Sequence, residues 1–426
     1  MPKIANLIAR QLFDSRGIPT IEAEIQLDNG GHATFITPSG ASCGSKEALE
    51  LRDNDPHFFA GRGVTKAIGH IRGEIKEAIT HKNFSTQAEF DNLLINLDAT
   101  PNKSRLGANA LLSVSGAFFK AFADGEHKAL YASIPSTEPY ILPMPLVNVI
   151  NGGAHANNGL DIQEFMLVPI GAERFQGALR MCAEVFYALK KILSHKNLST
   201  AVGDEGGFAP QLSSNEQALD FLSEAVAKAG FALGKDFAFA LDVAATELLN
   251  STTQIYTMNN EALRYEQLIL FYEKLCKNYP ICSIEDPFGE NDFAAFGALM
   301  SQIGAHVQIV GDDLFVTNEA CIKMGIENKL ANAVLIKMNQ IGTISETLSA
   351  VELTKKSGLN AIISHRSGES EDTTIADLAV LTRAGQIKTG SLSRSERVAK
   401  YNRLLRIEEE LGNQAIFSRP ALLISG

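Results

Sequence analysis

The sequence predicts an α/β protein in two parts: an N-terminal α+β domain over residues 1–138 and a C-terminal β/α barrel over residues 139–426. The barrel is read first from repetition. Five short apolar runs between residues 281 and 388 lead into Glu285, Asp312, Lys337, His365 and Lys388. These residues stand 27, 25, 28 and 23 apart, lengths that fit one buried strand, one helix and two short loops. The second observation is a contrast near the start of the chain. In residues 20–28, apolar Ile21, Ala23, Ile25 and Leu27 alternate with polar Glu22, Glu24 and Gln26, the pattern of a strand wet on one face. Third, Pro135, Pro139, Pro143 and Pro145 cluster between the two patterns and stiffen a linker.

The elements follow in order. After the strand at 20–28, Asn29-Gly30-Gly31 supplies turn chemistry, and residues 32–37 return as its partner. Residues 38–45 are almost all small, which suits a surface loop or a lid whose backbone approaches a ligand closely. Helical spacing marks 64–80, 90–97 and 107–123, the last rich in Ala, Gly and Ser for close packing. The barrel opens with a strand at 146–150 and a glycine loop carrying His155. A second strand at 162–169 carries Gln163 and Glu164, and a carboxylate inside an apolar strand needs a reason, because burying it is costly. A helix at 172–193 precedes Gly203-Asp204-Glu205-Gly206-Gly207, where glycines permit a tight turn around Glu205. Then come a helix at 215–229, a strand at 237–241 ending in Asp242, the repeated series, and a closing amphipathic helix at 397–411.

Composition narrows the role. Thirty-eight basic against 49 acidic residues leave a net charge of −11, which argues against nucleic acid as the main partner. Five scattered cysteines, none in a C-x-x-C pair, read as reduced thiols in a cytoplasm. The first residues carry no signal-peptide core, and no apolar run is long enough to span a bilayer.

In a parallel barrel the strand C-termini converge on one face, where active sites sit. Asp242, Glu285 and Asp312 then meet from three strand ends. Three carboxylates repel one another unless a hard cation stands between them, and oxygen-only ligation suits Mg²⁺. A salt-bridge cluster closed by Lys337 and Lys388 is the alternative. A lysine beside a metal and another lysine has its charged form disfavoured, the condition for a general base.

The chain also resembles the enolase family nearly end to end. The likeness rests on Asp14-Ser15-Arg16-Gly17, Pro38-Ser39-Gly40-Ala41-Ser42, Gln163-Glu164-Phe165-Met166, Gly203-Asp204-Glu205-Gly206-Gly207, Ser283-Ile284-Glu285-Asp286-Pro287, Ser364-His365-Arg366-Ser367-Gly368-Glu369 and Gln386-Ile387-Lys388-Thr389-Gly390. The resemblance implies reversible dehydration of 2-phospho-D-glycerate to phosphoenolpyruvate, two Mg²⁺ per site, a barrel whose first turns depart from strict βα alternation, and a homodimer or higher homo-oligomer. Carried over by motif, Asp242, Glu285 and Asp312 hold the first Mg²⁺, while Ser42 joins the second when substrate is bound. Lys337 is the base, and Glu205, helped by Glu164, is the acid. Lys388 contacts the substrate carboxylate, Arg366 and Ser367 the phosphate, Gln163 also binds substrate, His155 closes from its glycine loop, and His365 lines the site. Three residues depart from the family pattern: Ile18, Cys43 and Val243. A related acid-sugar dehydratase and a purely interacting role remain as alternatives.

Overall fold

The computed structural model describes residues 2–40 and 44–424. Ser42 and Cys43 lie outside the described residues. The chain begins with an antiparallel meander of β1 (Ile4–Phe13), β2 (Pro19–Leu27) and β3 (His32–Ile36). The alternation read in the sequence is the cause: Ile21, Ala23, Ile25 and Leu27 are buried, while the intervening Glu22, Glu24 and Gln26 are only half-buried. Glu22 and Glu24 both pair with Arg10 of β1. The helix Ala108–Gly125 covers the inner face. Its small residues let it approach closely; a side chain at Gly116 would meet the Phe35 ring. The helical stretch expected at 64–80 contains one π turn, Ile71–Ile75, where Gly73 leaves helical geometry. Nothing in the apolar spacing signals that turn.

Eight strands close a barrel: β4 (Met144–Asn151), β5 (Glu164–Val168), β6 (Ala238–Asp242), β7 (Ile281–Glu285), β8 (Gln308–Gly311), β9 (Ala333–Ile336), β10 (Asn360–Ser364) and β11 (Gly385–Lys388). Seven share one direction. The exception is β5, antiparallel to both β4 and β6, which is where the barrel departs from strict βα alternation; the repeated series from β6 to β11 is parallel throughout. A hairpin between β4 and β5 replaces the first crossover helix. Inside the barrel lie two apolar clusters, one of Met144, Leu146, Met166, Val168, Ala238, Ala240 and Cys282, the other of Val310, Ala333, Leu335 and Ile362. One group of polar side chains inside the barrel is satisfied internally: Gln308 donates to Ser283 Oγ and Gln386 Oε1, each at 3.0 Å, and accepts from Asn360 at 2.7 Å. Such closure matters because an unpaired buried amide costs about 1–3 kcal/mol.

The N-terminal part is built onto the barrel by hydrogen bonds as well as apolar contact. Asp91 accepts from Ser345 N at 2.8 Å and Ser115 Oγ from Ile344 N at 2.9 Å. Both satisfy free backbone donors at the start of the barrel helix Ile344–Lys356. At the loop that follows β10, Ser39 and Gly368 exchange backbone hydrogen bonds of 2.9 and 2.8 Å. Among the described residues, no helix is long and apolar enough to cross a membrane.

Candidate active site

Strand ends and the loops beyond them bring eleven of the sequence-predicted residues into one cleft, while Glu285 is buried beside it against Lys388 and is not part of its lining. Its lining includes His155, Gln163, Glu164, Glu205, Asp242, Asp312, Lys337, His365, Arg366, Ser367 and Lys388. Each reaches it for a local reason. Asp242, Glu285 and Lys388 are the last residues of β6, β7 and β11, whereas Asp312, Lys337 and His365 directly follow β8, β9 and β10. Because β5 runs backwards, its first residue, Glu164, arrives at the same rim and pairs in register with Asn151 and Asp242. Glu164 is only 1% exposed, so this carboxylate is buried. Glu205 stands between Gly203 and Gly206. Gly206 has φ +88, and a Cβ there would lie 2.4 Å from the Ser393 carbonyl, so only glycine lets the turn close.

The acids and cations are arranged in two groups. In the first, Lys388 Nζ lies 2.7 Å from Glu285, 2.9 Å from Asp242 and 3.1 Å from Glu164. Lys337 Nζ pairs with Asp312 at 2.5 Å, and Asp312 also accepts from Gln340 Nε2 at 2.9 Å. The predicted metal triad is therefore bridged here by two ammonium groups. Ligand atoms converge within 4.8 Å of one another in two other sets, Asp286–Asp312–Asp313 and His155–Glu164–Glu205. Asp286 already accepts from the backbone N–H groups of Asp312 and Asp313, at 2.9 and 2.8 Å, and so holds the end of β8 in place.

The second group surrounds His155. Its Nδ1 is 3.8 Å from Glu164 and its Nε2 3.7 Å from Glu205. Glu205 accepts from Asn148 Nδ2 at 3.1 Å and faces His365 Nε2 at 3.4 Å. Arg366 and Ser367 complete the rim. Arg366 pairs with Glu47, with Nη1–Oε2 at 3.0 Å, and donates to Asn339 at 3.1 Å.

Burial drives the protonation pattern. For Glu285, burial and then the neighbouring Asp242 raise the pKa well above the usual carboxylate range, with Lys388 pulling the other way. Burial and then Glu205 raise Glu164 in the same direction. Burial presses upward on Glu205 too, but the two histidines and Arg397 outweigh it, and this carboxyl lies well below its usual range. The two glutamates are thus shifted in opposite directions and titrate as a coupled pair. Burial pushes His365 down to about 4, leaving the ring neutral near pH 7. At Lys337 burial and nearby acids oppose each other. Burial lowers its pKa, yet the summed pull of Asp312 and Glu285 leaves it above its ordinary value.

Several residues that shape the cleft escaped the sequence reading: Asn148, Glu47, Gln340, Asp286 and Arg397. Asn148 carried a usable signal, a polar side chain in the middle of an apolar strand, the same irregularity that drew attention to Glu164. The others owe their roles to partners far away in sequence.

Comparison with known families agrees with this geometry across both parts of the chain. The description "Enolase, N-terminal domain" matches residues 4–134. "Enolase, C-terminal TIM barrel domain" matches residues 139–422, which contain every cleft residue named above except Glu47. The chain belongs to the enolase family.

Proposed function

We propose that this protein is a Mg²⁺-dependent hydro-lyase that converts 2-phospho-D-glycerate reversibly to phosphoenolpyruvate. The observation that carries the reading is the placement of two proton-handling groups from different strands on one cleft. Lys337 stands on one and the Glu164–His155–Glu205 set on the other, with Arg366 and Ser367 at the rim.

The residues fit a divalent cation. Buried carboxylates outnumber the ammonium and guanidinium groups around the cleft, and Glu285 is raised first by burial and then by the neighbouring Asp242, a crowding of like charge that a cation relieves. Asp242, Glu285 and Asp312 would hold the ion, and Ser42 would serve a second. Bound there, Mg²⁺ supplies compensation for negative charge that builds on a substrate carboxylate.

The chain's own residues do the rest. Lys337 takes the C2 proton, and the electron pair left behind forms the C2–C3 double bond. The C3 hydroxyl departs as water with a proton from the Glu164–Glu205 pair, since hydroxide alone is a poor leaving group. Burial, Arg366 and Lys388 favour the neutral amine at Lys337 against the pull of Asp312 and Glu285, a pull that a cation held by those carboxylates would weaken. Gln163 donates to Asp242 at 3.3 Å, which orients that carboxylate. Arg366 and Ser367 receive the phosphate, with Glu47 yielding or sharing the guanidinium.

Turnover of 2-phosphoglycerate by purified protein, with Mg²⁺ and then with excess chelator, tests the reading. Activity lost on chelation and restored by Mg²⁺ supports it. Turnover unchanged in chelator removes the metal assignment, and no turnover with Mg²⁺ removes the substrate. A homo-oligomer in the cytoplasm belongs to the same proposal, with light scattering and cell fractionation as its checks.

A further inference from the structure

Arg397 is wholly buried, yet it lies outside the residues that face the cleft. One guanidinium edge reaches across two loops. Nη1 donates to His365 Nδ1 at 2.5 Å and to the Arg366 carbonyl at 2.6 Å; Nη2 donates to the Ser367 carbonyl at 2.6 Å and the Asp204 carbonyl at 3.1 Å. A guanidinium has donors only and keeps its charge at any ordinary pH. The ring nitrogen it meets must therefore offer a lone pair. That leaves the His365 proton on Nε2, the atom 3.4 Å from Glu205 Oε2.

We infer that Arg397 is a positioning residue that locks His365 as the Nε2–H tautomer, a fixed donor toward Glu205, so that the proton on this side of the cleft is carried by the glutamate pair and never by the histidine. A second proton on His365 would have to point its Nδ1–H at a cation and break that contact. The charged groups around the ring are Glu205 and Glu369, which favour such a proton, and Arg397, which opposes it together with burial. Arg397 also ties the loop bearing Arg366 and Ser367 to the loop bearing Glu205 through carbonyl contacts alone. Those contacts explain a structural role but place no demand on the imidazole. The contact with Nδ1 does, and it is what distinguishes a tautomer lock from a clamp.

The tautomer claim stands on the free protein; its consequence for proton transfer rests on the hydro-lyase reading. The experiment is ¹⁵N NMR of the full chain labelled at histidine, with Mg²⁺ and without substrate, across pH 5 to 9, His365 being assigned by loss of its signals in His365→Gln. The expected result is a protonated Nε2 and an unprotonated Nδ1 throughout. An Nδ1–H ring, or one that gains a proton within that range, overturns the inference. Arg397→Lys keeps one donor for Nδ1 and should keep the tautomer while loosening the carbonyl contacts. Arg397→Met should release the ring to the other tautomer or to titration, and lower kcat roughly tenfold or more with less change in KM. A folded Arg397→Met protein with an unaltered ring also overturns it. Should Arg397→Met fail to fold, the native spectrum and Arg397→Lys decide. A locked Nε2–H ring in a protein inactive on 2-phosphoglycerate leaves the tautomer standing and the hydro-lyase reading fallen.

Discussion

Lys388→Met removes the one ammonium that Glu164, Asp242 and Glu285 share, at 3.1, 2.9 and 2.7 Å. At an effective dielectric constant of about 20, each contact is worth about 5 kcal/mol of Coulomb attraction. Desolvation of the ions, at several kcal/mol each, offsets much of it. Methionine fills most of the vacated volume, so the loss comes from uncompensated charge and not from a cavity. Removing one partner of a buried ion pair typically costs about 3–5 kcal/mol. For a chain of 426 residues, that corresponds to a fall in Tm of roughly 3–6 °C. The loss should depend on pH. Glu164 and Glu285 already have raised pKa values, from burial first and then from neighbouring acids, and without Lys388 both rise further. A carboxyl raised in the folded state binds protons more readily there than in the unfolded chain. Its folded state is therefore favoured at low pH and loses ground as pH climbs from the unfolded value through the folded one. Calorimetry in chelator at pH 5 and pH 7, with circular dichroism to confirm folding, should show the larger loss at pH 7. An equal loss at both, or none at pH 7, would refute the account of Lys388 as the shared counter-charge.

Lys337→Ala should abolish both product formation and exchange of the C2 hydrogen in deuterated water, whereas Glu205→Gln should stop dehydration but leave exchange measurable by NMR; exchange surviving in Lys337→Ala would remove it as the base. Gly206→Ala places a Cβ 2.4 Å from the Ser393 carbonyl at φ +88, so the turn holding Glu205 must shift and kcat should fall on the order of 100-fold, with unchanged activity the contrary result. Asp91, raised to about 6 chiefly by burial, is costly when ionised. Asp91→Asn should therefore gain stability relative to the native chain between pH 5 and pH 7, by on the order of 2 kcal/mol, and a urea titration at the two pH values that shows no such gain argues against it.

Much of the barrel was legible because strand burial and strand-end chemistry coincide. The runs at 281–285, 333–336 and 385–388 could be placed to within a residue or two, since an apolar stretch there must stop where the charged rim begins. The same logic located Asp242, Glu285, Asp312, Lys337 and Lys388. It fell short where one residue's role depends on a distant partner. Arg366 reads as an anion binder from its own motif, but nothing near it announces Glu47, which comes from the N-terminal part and occupies the guanidinium. Protonation was also out of reach. Glu164 and Glu205 are the same residue type, and only the placement of two histidines and Arg397 beside Glu205 separates the directions in which the two are shifted. Ser42, expected to serve a metal, falls outside the described residues.

The reversed strand β5 has a mechanical consequence. A chain that leaves the rim at the end of β4 and re-enters at the start of β5 never descends to the far end of the barrel between Asn151 and Glu164. The His155 loop is thus anchored twice on the same rim, once by Asn151 and once by Glu164, the first residue of β5. Elsewhere around the barrel, a lengthened loop can be absorbed by a helix that travels down and back. Here there is no such slack. A residue inserted between 151 and 164 would be transmitted directly to His155 or to the register of Glu164 against Asp242, which makes this hairpin the segment of the barrel least able to tolerate a change of length.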